Sequence, residues 1–502
     1  MNNLYKEQHE GTNKWFDSGM NGCIIWATGV GKNFVLTHIN GFLGRYYKKY
    51  PNNKTLILLP SVDVLDRAMK ELHNLPHILN NVTLLTIHKL MNNPLSYGTM
   101  FDLLIVDEVD IYTSAKRRVL INNTIIGYEH FLGLTATPFL IHENYPQLFI
   151  NHPIIHTITL EKAEEIGFVN KFNIYNYGVN LNTVDYDKYV EYTKLIKHGI
   201  NKFIKLYPLL KYVEGNWAKH NYIAEGYHAF TTALRICRKG GTIWWTDTNK
   251  DGSPKHPKGL AIRDKLRIPS DKTWLSADHF IKILSAMSGY KHNHIEGSED
   301  PTGYSPSNLT WFVEALRYSL DERRGLIEYN ILKFRAVIKV LKYIDWQECI
   351  IFTGNSKFAD VLYRYINFIK PGIAMLYHSK AKVPKQPLKK WKKGTNEGKY
   401  ICYSSKTLLT HIMETLDKEE AKVIVAVEAL GRGFNRPSIR ANINTSHIRS
   451  RTDTVQKQGR AVRNHANKEE AKIINIYFRD TIEQRNIAFN EVSNKQIINL
   501  TL

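Results

Sequence analysis

The sequence predicts an α/β chain: two parallel-sheet domains separated by an irregular, mainly helical insert. Three observations lead there. Strand-length apolar runs alternate with polar, helix-like stretches over the first 150 or so residues. The same rhythm returns near residue 348, and between about 170 and 325 it is lost. At 502 residues the chain also exceeds the ~250–300 at which single hydrophobic cores stop growing, so more than one domain is expected.

The first set of runs is GCIIWAT (22–28), KTLILLP (54–60), NVTLLTI (81–87), FDLLIVDE (101–108) and HFLGLTAT (130–137). Each is almost continuously apolar and ends in turn or polar residues, the pattern of a parallel strand buried on both faces. The stretches between them are long enough for crossover helices. The second set is ECIIFTG (348–354), IAMLYHS (373–379), KVIVAVEAL (422–430), ANINTS (441–446) and AKIINIYF (471–478). The boundaries that follow are 1–168 for the first domain, 169–325 for the insert and 326–502 for the second domain.

Composition excludes several classes. Hydrophobic residues are 43% and charged residues 23%, so neither wholesale disorder nor a disulfide scaffold is expected. The cysteines, Cys23, Cys237, Cys349 and Cys402, are scattered singly without metal spacing, as suits a reducing compartment. No apolar run has the length of a membrane span, and MNNLYKEQHEG lacks a signal-peptide pattern, so the expected location is the cytoplasm, the host's if the chain is viral. The formal net charge is +21, which makes nucleic acid the first candidate partner, although charge alone is also compatible with a merely basic soluble protein.

Strand GCIIWAT runs into Thr28, Gly29, Val30, Gly31, Lys32 and Asn33 and then a helical stretch. Glycines let the backbone curl so that N–H groups point inward, and a helix start and a lysine add positive charge. That is a phosphate cradle. Trp26 stands where the general pattern has its first glycine, and Asn33 where Ser or Thr would ligate Mg²⁺; the Asn33 amide oxygen can still reach the metal. The bland alternative is a glycine turn followed by a surface lysine. LLIVDEVD (103–110) ends another apolar run in acids: Asp107 is placed to hold Mg²⁺ and Glu108 to polarise the attacking water. LTATPF (134–139) ends a third, with Thr135 and Thr137. Strand ends on one side of a parallel sheet converge on one crevice.

With these residues in place the chain resembles the superfamily 2, DEAD/DEAH-like helicases and translocases, in the restriction-type and recombination-type (branch-migration, phage-like) branch. TGVGKN looks like motif I, DEVD like motif II and TATP like motif III. LYKEQ (4–8) resembles the segment whose glutamine, here Gln8, contacts adenine. LLPSVDVLDR (58–67) and LLTIHKL (84–90) resemble motifs Ia and Ib, which implies nucleic-acid backbone contacts near Pro60 and Thr86. KAEEIGFVNKFNI (162–174) resembles the exit segment after motif III, and IIFTGNSKFADVL (350–362) motif IV. VEALGRGFNRPSI (427–439), with Gly433 at the cofactor, resembles motif V.

VQKQGRAVR (455–463) is similar to motif VI, and implies that Gln456, Arg460 and Arg463 complete the catalytic set from the second domain. Spaced i, i+3, the two arginines would share a helix face. The resemblance implies two RecA-like domains, ATP and Mg²⁺ as cofactors, and single-stranded, duplex or branched DNA as partner. Arg432 and Asn435 stand in motif V at positions often acidic in this branch, and residues 395–420 lengthen the approach to it.

In the insert, Trp244 and Trp245 are adjacent among lysines. They are candidates for stacking bases, whereas most of the other tryptophans would build a small core. His292 and His294 read as a solvated loop rather than a metal site. The expected function is therefore an ATP-dependent DNA helicase or translocase. An RNA helicase is the nearest rival. A weakened ATPase serving as a scaffold or motor subunit of a restriction or defence complex is the rival from another class; no nuclease cluster is evident.

Overall fold

The computed structural model describes residues 4–73, 75–92, 99–110, 121, 126–136, 146–206, 306–385, 400–427, 436–447, 451–465, 468–490 and 495–502. The chain divides into two compact units, residues 1–180 with 331–502, and residues 181–330.

The larger unit holds two all-parallel sheets. The first is built from β1 (Asn21–Trp26), β2 (Thr55–Leu59), β3 (Val82–Thr86), β4 (Thr99–Asp107), β5 (Ile126–Thr135) and β6 (Ile154–Ile158), in the order β3-β2-β4-β5-β1-β6. The expected runs all form strands. β6 was not expected: it is an edge strand with only its last residue buried, so its hydrophobic pattern is weak. The order sets β4, β5 and β1 side by side, so the loops after these three strands leave one stretch of sheet edge together.

The second sheet contains β7 (Lys171–Val179), β8 (Cys349–Thr353), β9 (Ala374–Tyr377), β10 (Val423–Val427), β11 (Ala441–Asn444), β12 (Glu470–Phe478) and β13 (Ile497–Asn499), in the order β13-β7-β12-β11-β8-β10-β9. Here the structure departs from the expected 168/169 boundary. The segment after residue 169 does not begin the insert; Lys171–Val179 pairs along its whole length with Glu470–Phe478. The chain thus enters the second sheet before leaving for the insert. The reason is legible afterwards: KFNIYNYGV places Phe172, Ile174 and Asn176 on one face, with the buried Asn176 accepting at Oδ1 from Asn475 Nδ2 at 2.9 Å. Polar ladder residues inside a strand hide it from an apolar-run criterion.

Apolar residues of both sheets, among them Trp26, Phe172 and Phe352, belong to one buried cluster with Trp15, Phe42, Val169 and Ile412 from the segments packed on them. Cys23 and Cys349 are buried thiols whose pKa burial raises, the behaviour of small hydrophobes. A fully interior ion pair, Lys333 to Glu483 at 2.5 Å, joins the helix Ile331–Tyr343 to the helix Ile482–Asn490.

In the smaller unit the helices Thr183–Leu206 and Pro306–Glu328 pack on each other. Tyr192 meets Tyr318 edge to face, and Asn330 Nδ2 donates to Asp185 Oδ2 at 2.9 Å. Among the described residues no helix is long and apolar enough to cross a membrane. Trp244, Trp245, His292 and His294 lie outside the described residues.

Candidate functional site

Three departures from regular structure build the front half of the site. β1 ends at Trp26, and the loop that follows places Gly29 and Gly31 at φ +101° and +85°, where a side chain is strained. Trp26, standing where the general cradle has a glycine, sends its indole away from this loop into the core. There it is fully buried, with Nε1 donating to His156 Nδ1 at 2.9 Å. Gly11 makes room for it: a Cβ at Gly11 would lie 2.5 Å from the indole. Only the Trp26 backbone serves the loop, and its carbonyl accepts from Lys32 Nζ at 2.9 Å.

The loop is braced from below by Gln8. Only 2% exposed, Gln8 donates through Nε2 to Val30 O at 2.7 Å and accepts at Oε1 from Tyr5 N at 3.0 Å. Val30 is buried by this arrangement rather than facing outward. Tyr5 lies edge to face on Phe168, ring centroids 4.7 Å apart.

β4 ends at Asp107, and Glu108 follows with φ +51°, an uncommon conformation for a glutamate. Such strain is held only where the surroundings over-determine it, and it clusters at functional sites. Glu108 Oε2 is buried without a hydrogen-bond partner among the described residues. β5 ends at Thr135, fully buried, whose Oγ1 donates to Asp110 Oδ1 at 3.1 Å; the third strand end is thereby tied to the acidic turn of the second.

The rear half comes from the helix Arg451–Ala461, which carries Gln456, Gly459 and Arg460. Gly459 is where the two halves meet, since a Cβ there would lie 2.4 Å from Thr28 Cβ. The shared helix face expected for the two arginines is corrected. The helix stops at Ala461, and Arg463 lies beyond it, paired antiparallel with Val169 of the exit segment. Asn170 N donates to Val462 O at 2.9 Å and Asn464 Nδ2 to Gly167 O at 3.0 Å. These bonds pull the chain out of helical geometry.

A cavity of about 380 Å³ is lined by residues of both halves: Thr28, Gly29 and Gly31 from the loop after β1, Lys32 and Asn33 at the start of the helix Lys32–Thr37, Asp107 and Glu108 at the end of β4, and Gln456, Arg460 and Arg463 from the rear. Pro60 also lines it, although its segment was expected on the nucleic-acid backbone. Sequence reasoning missed Arg67, Phe34, Val64, Phe168 and Asn464. Arg67 sits on the helix Val62–Leu72 that follows β2, inside the very segment read as motif Ia. Its charge was the available signal.

The cavity is strongly cationic. Lys32, Arg67, Arg460 and Arg463 face two carboxylates, Asp107 and Glu108. Arg460 is 8% exposed. Burial, then repulsion from Arg463 and Arg67 against the attraction of Glu108, pulls its guanidinium down to about 9. Burial and then Arg67 pull Arg463 to about 10. Both remain charged at neutral pH, so the cavity holds crowded, desolvated positive charge that a polyanion relieves.

The other expected residues lie elsewhere. Thr86 is buried, and its Oγ1 accepts from Lys89 N at 3.2 Å at the start of the helix Ile87–Asn92. Thr137 and Gly433 fall outside the described residues. Asn33 and Asp107 offer hard oxygen donors on one cavity, the donor type Mg²⁺ takes. Among the described residues no cluster of three or more His, Cys, Asp or Glu forms a metal site.

Residues 2–140 match the family described as type III restriction enzyme, res subunit. The match includes the cavity residues from Thr28 to Arg67 together with Asp107 and Glu108. Two solved structures are similar at low identity. The crystal structure of the Pyrococcus furiosus Hef helicase domain is similar over 97% of this chain and 98% of that one, with 14% identity and a TM-score of 0.45. The ATP-dependent Type ISP restriction-modification enzyme LlaBIII, bound to DNA, is similar over 97% of this chain, with 13% identity and a TM-score of 0.48; this chain spans 29% of its length. No curated protein matches the chain.

Proposed function

We propose that the chain is an ATP-dependent DNA helicase or translocase that hydrolyses ATP between its two parallel-sheet domains and so moves along or remodels DNA. The observation that carries this is the cavity just described. Four cations and two carboxylates converge on it from segments more than 300 residues apart.

Each residue then has a role. The backbone around Gly29 and Gly31 and the Lys32 ammonium bind the phosphates, with Lys32 leaving Trp26 O to do so. Asn33 and Asp107 would hold Mg²⁺, which when bound offsets charge on the phosphate oxygens. Glu108, with an unsatisfied buried oxygen, takes a proton from the attacking water. Arg460 and Arg463 offset the charge that develops on the transferred group, a contribution of ~10³–10⁵ in rate for an arginine supplied this way. Thr135, hydrogen-bonded to Asp110, links the acidic turn to the end of β5. The net charge of +21 suits sequence-independent, salt-sensitive contact with a phosphate backbone.

The res-subunit match over residues 2–140 supports a second reading within this one, a motor subunit acting beside a separate nuclease. The test is ATP hydrolysis with no nucleic acid and with single-stranded, duplex and forked DNA or RNA, alongside strand-displacement and branch-migration assays. DNA should stimulate turnover, and Lys32→Ala should lower turnover by ~10³ or more while DNA binding is retained. Stimulation by RNA alone would transfer the reading to RNA. Absence of hydrolysis under every condition would refute it.

A further inference from the structure

The helix that carries Arg460 ends without the glycine or the following helical turn that commonly satisfies terminal carbonyls. A buried lysine does so instead. Lys468 Nζ donates to Ala461 O at 2.7 Å and to Arg463 O at 2.5 Å, the carbonyls of the last helical residue and of Arg463 itself. The same ammonium donates to Pro437 O at 2.9 Å and Ile439 O at 3.1 Å, in the loop that leads into β11. The side chain is 3% exposed.

Three N–H groups serve four main-chain oxygens, so at least one is shared. Every acceptor is backbone, so what the group fixes is the path of the chain. Asn170 holds the opposite side of the segment: its Oδ1 accepts from His465 N at 2.9 Å, and its Nδ2 donates to Lys468 O at 2.5 Å.

We propose that Lys468 is the positioning residue that sets how far Arg460 and Arg463 reach into the cavity, by clamping the end of their helix to the loop before β11. The inference rests on the reading of that cavity as the nucleotide site. It concerns an interaction that is complete only while the amine is protonated, because a neutral amine keeps two N–H donors for four carbonyls and turns a lone pair toward the rest.

The charged groups around it are Arg440 and Glu348 at the entrances of β11 and β8, Arg436, which pairs with both Glu348 and Asp417, and Arg463 on its own segment. Burial, then Arg440 and Arg463 against Glu348, pulls the ammonium down to about 8. The folded state therefore binds this proton less tightly than the unfolded chain. Raising the pH through 8 thus removes no folding stability through this group. Turnover should fall where stability does not.

The experiment compares wild type, Lys468→Met and Lys468→Arg by ATP turnover across pH 7–9.5, affinity for a fluorescent non-hydrolysable ATP analogue, melting temperature, and hydrogen–deuterium exchange without nucleotide. Lys468→Met should lose turnover at least tenfold and keep analogue affinity within about threefold. Its amide exchange over residues 458–468 should quicken at least tenfold, with β8 unchanged. Wild type should lose turnover above pH 8 without a fall in melting temperature, and Lys468→Arg should move that limb up by a unit or more.

Wild-type turnover in Lys468→Met, or lost turnover with unchanged exchange over 458–468, overturns the proposal. Should Lys468→Met fail to fold, the alkaline limb decides, and its persistence unmoved in Lys468→Arg overturns the proposal. Faster exchange over 458–468 in a protein whose wild type hydrolyses no ATP leaves the clamp standing and refutes only the nucleotide reading.

Discussion

Gly459→Ala tests whether the two halves of the cavity must touch. The added Cβ would stand 2.4 Å from Thr28 Cβ, 2.6 Å from Cγ2 and 2.7 Å from Oγ1. Because the nearest atom is a Cβ, no side-chain rotation removes the clash. Ordinary carbon contact needs ~3.5 Å, so the arginine helix must retreat by about 1 Å. Arg460 is the next residue and moves with it. A displacement of that size at a catalytic group costs ~10²-fold, whereas phosphate binding by the loop after β1 is nearly untouched.

The expected result is therefore turnover lowered about 100-fold at saturating ATP, with analogue affinity changed by less than about threefold. Thr28→Gly removes all three clashing atoms, so Gly459→Ala should cost much less in that background, a coupling of at least ~1 kcal/mol across the double-mutant cycle. Turnover of Gly459→Ala at the wild-type level, or a cycle that is additive, would show that the helix does not approach Thr28 during catalysis, and the two-sided cavity would lose its mechanistic meaning.

Three further predictions follow from the same structure. Arg67→Gln removes a cavity cation contributed by the first domain, so affinity for a triphosphate should fall about tenfold and affinity for the nucleoside not at all; equal losses for both, measured by calorimetry, would place Arg67 outside phosphate recognition. Lys333→Met leaves Glu483 charged in the interior and should destabilise the protein by ~3–5 kcal/mol in urea titration, with Lys333→Met/Glu483→Leu recovering most of the loss; an equally unstable double variant would contradict the ion-pair argument. His152 stacks on Phe131 at 3.8 Å and hydrogen-bonds to Tyr128 and Asn21, and burial pulls it down to about 4. Its proton is held more tightly unfolded than folded. Stability present above pH 6.5 should then be lost as pH falls toward 4, by ~3 kcal/mol at most, and His152→Gln should flatten that limb of the melting-temperature profile.

Much of the fold is legible in the chain because a strand buried on both faces needs a continuous apolar run, and ten such runs are present. β6 and β7 escape the criterion for opposite reasons. β6 lies at an edge with little burial, and β7 is interior but carries Asn173 and Asn176. The site was legible where its chemistry is local. The glycines at positive φ, Lys32, and the acids after β4 are each defined by neighbours in sequence. Trp26 looked like a flaw in the cradle only because the sequence does not show that its indole turns inward, into space left by Gly11.

The sequence by itself determined the two sheets, the glycine loop after β1, the acidic turn and the presence of an arginine segment, because each follows from hydrophobic periodicity or from residue types a few positions apart. Tertiary structure alone decided that Arg67 joins Arg460 and Arg463, that Arg463 leaves its helix to pair with Val169, and that Lys468 holds the carbonyls around it. Those outcomes depend on which distant segments share a dry space. There a charge finds its partners by proximity across the fold, and spacing along the chain carries no record of it.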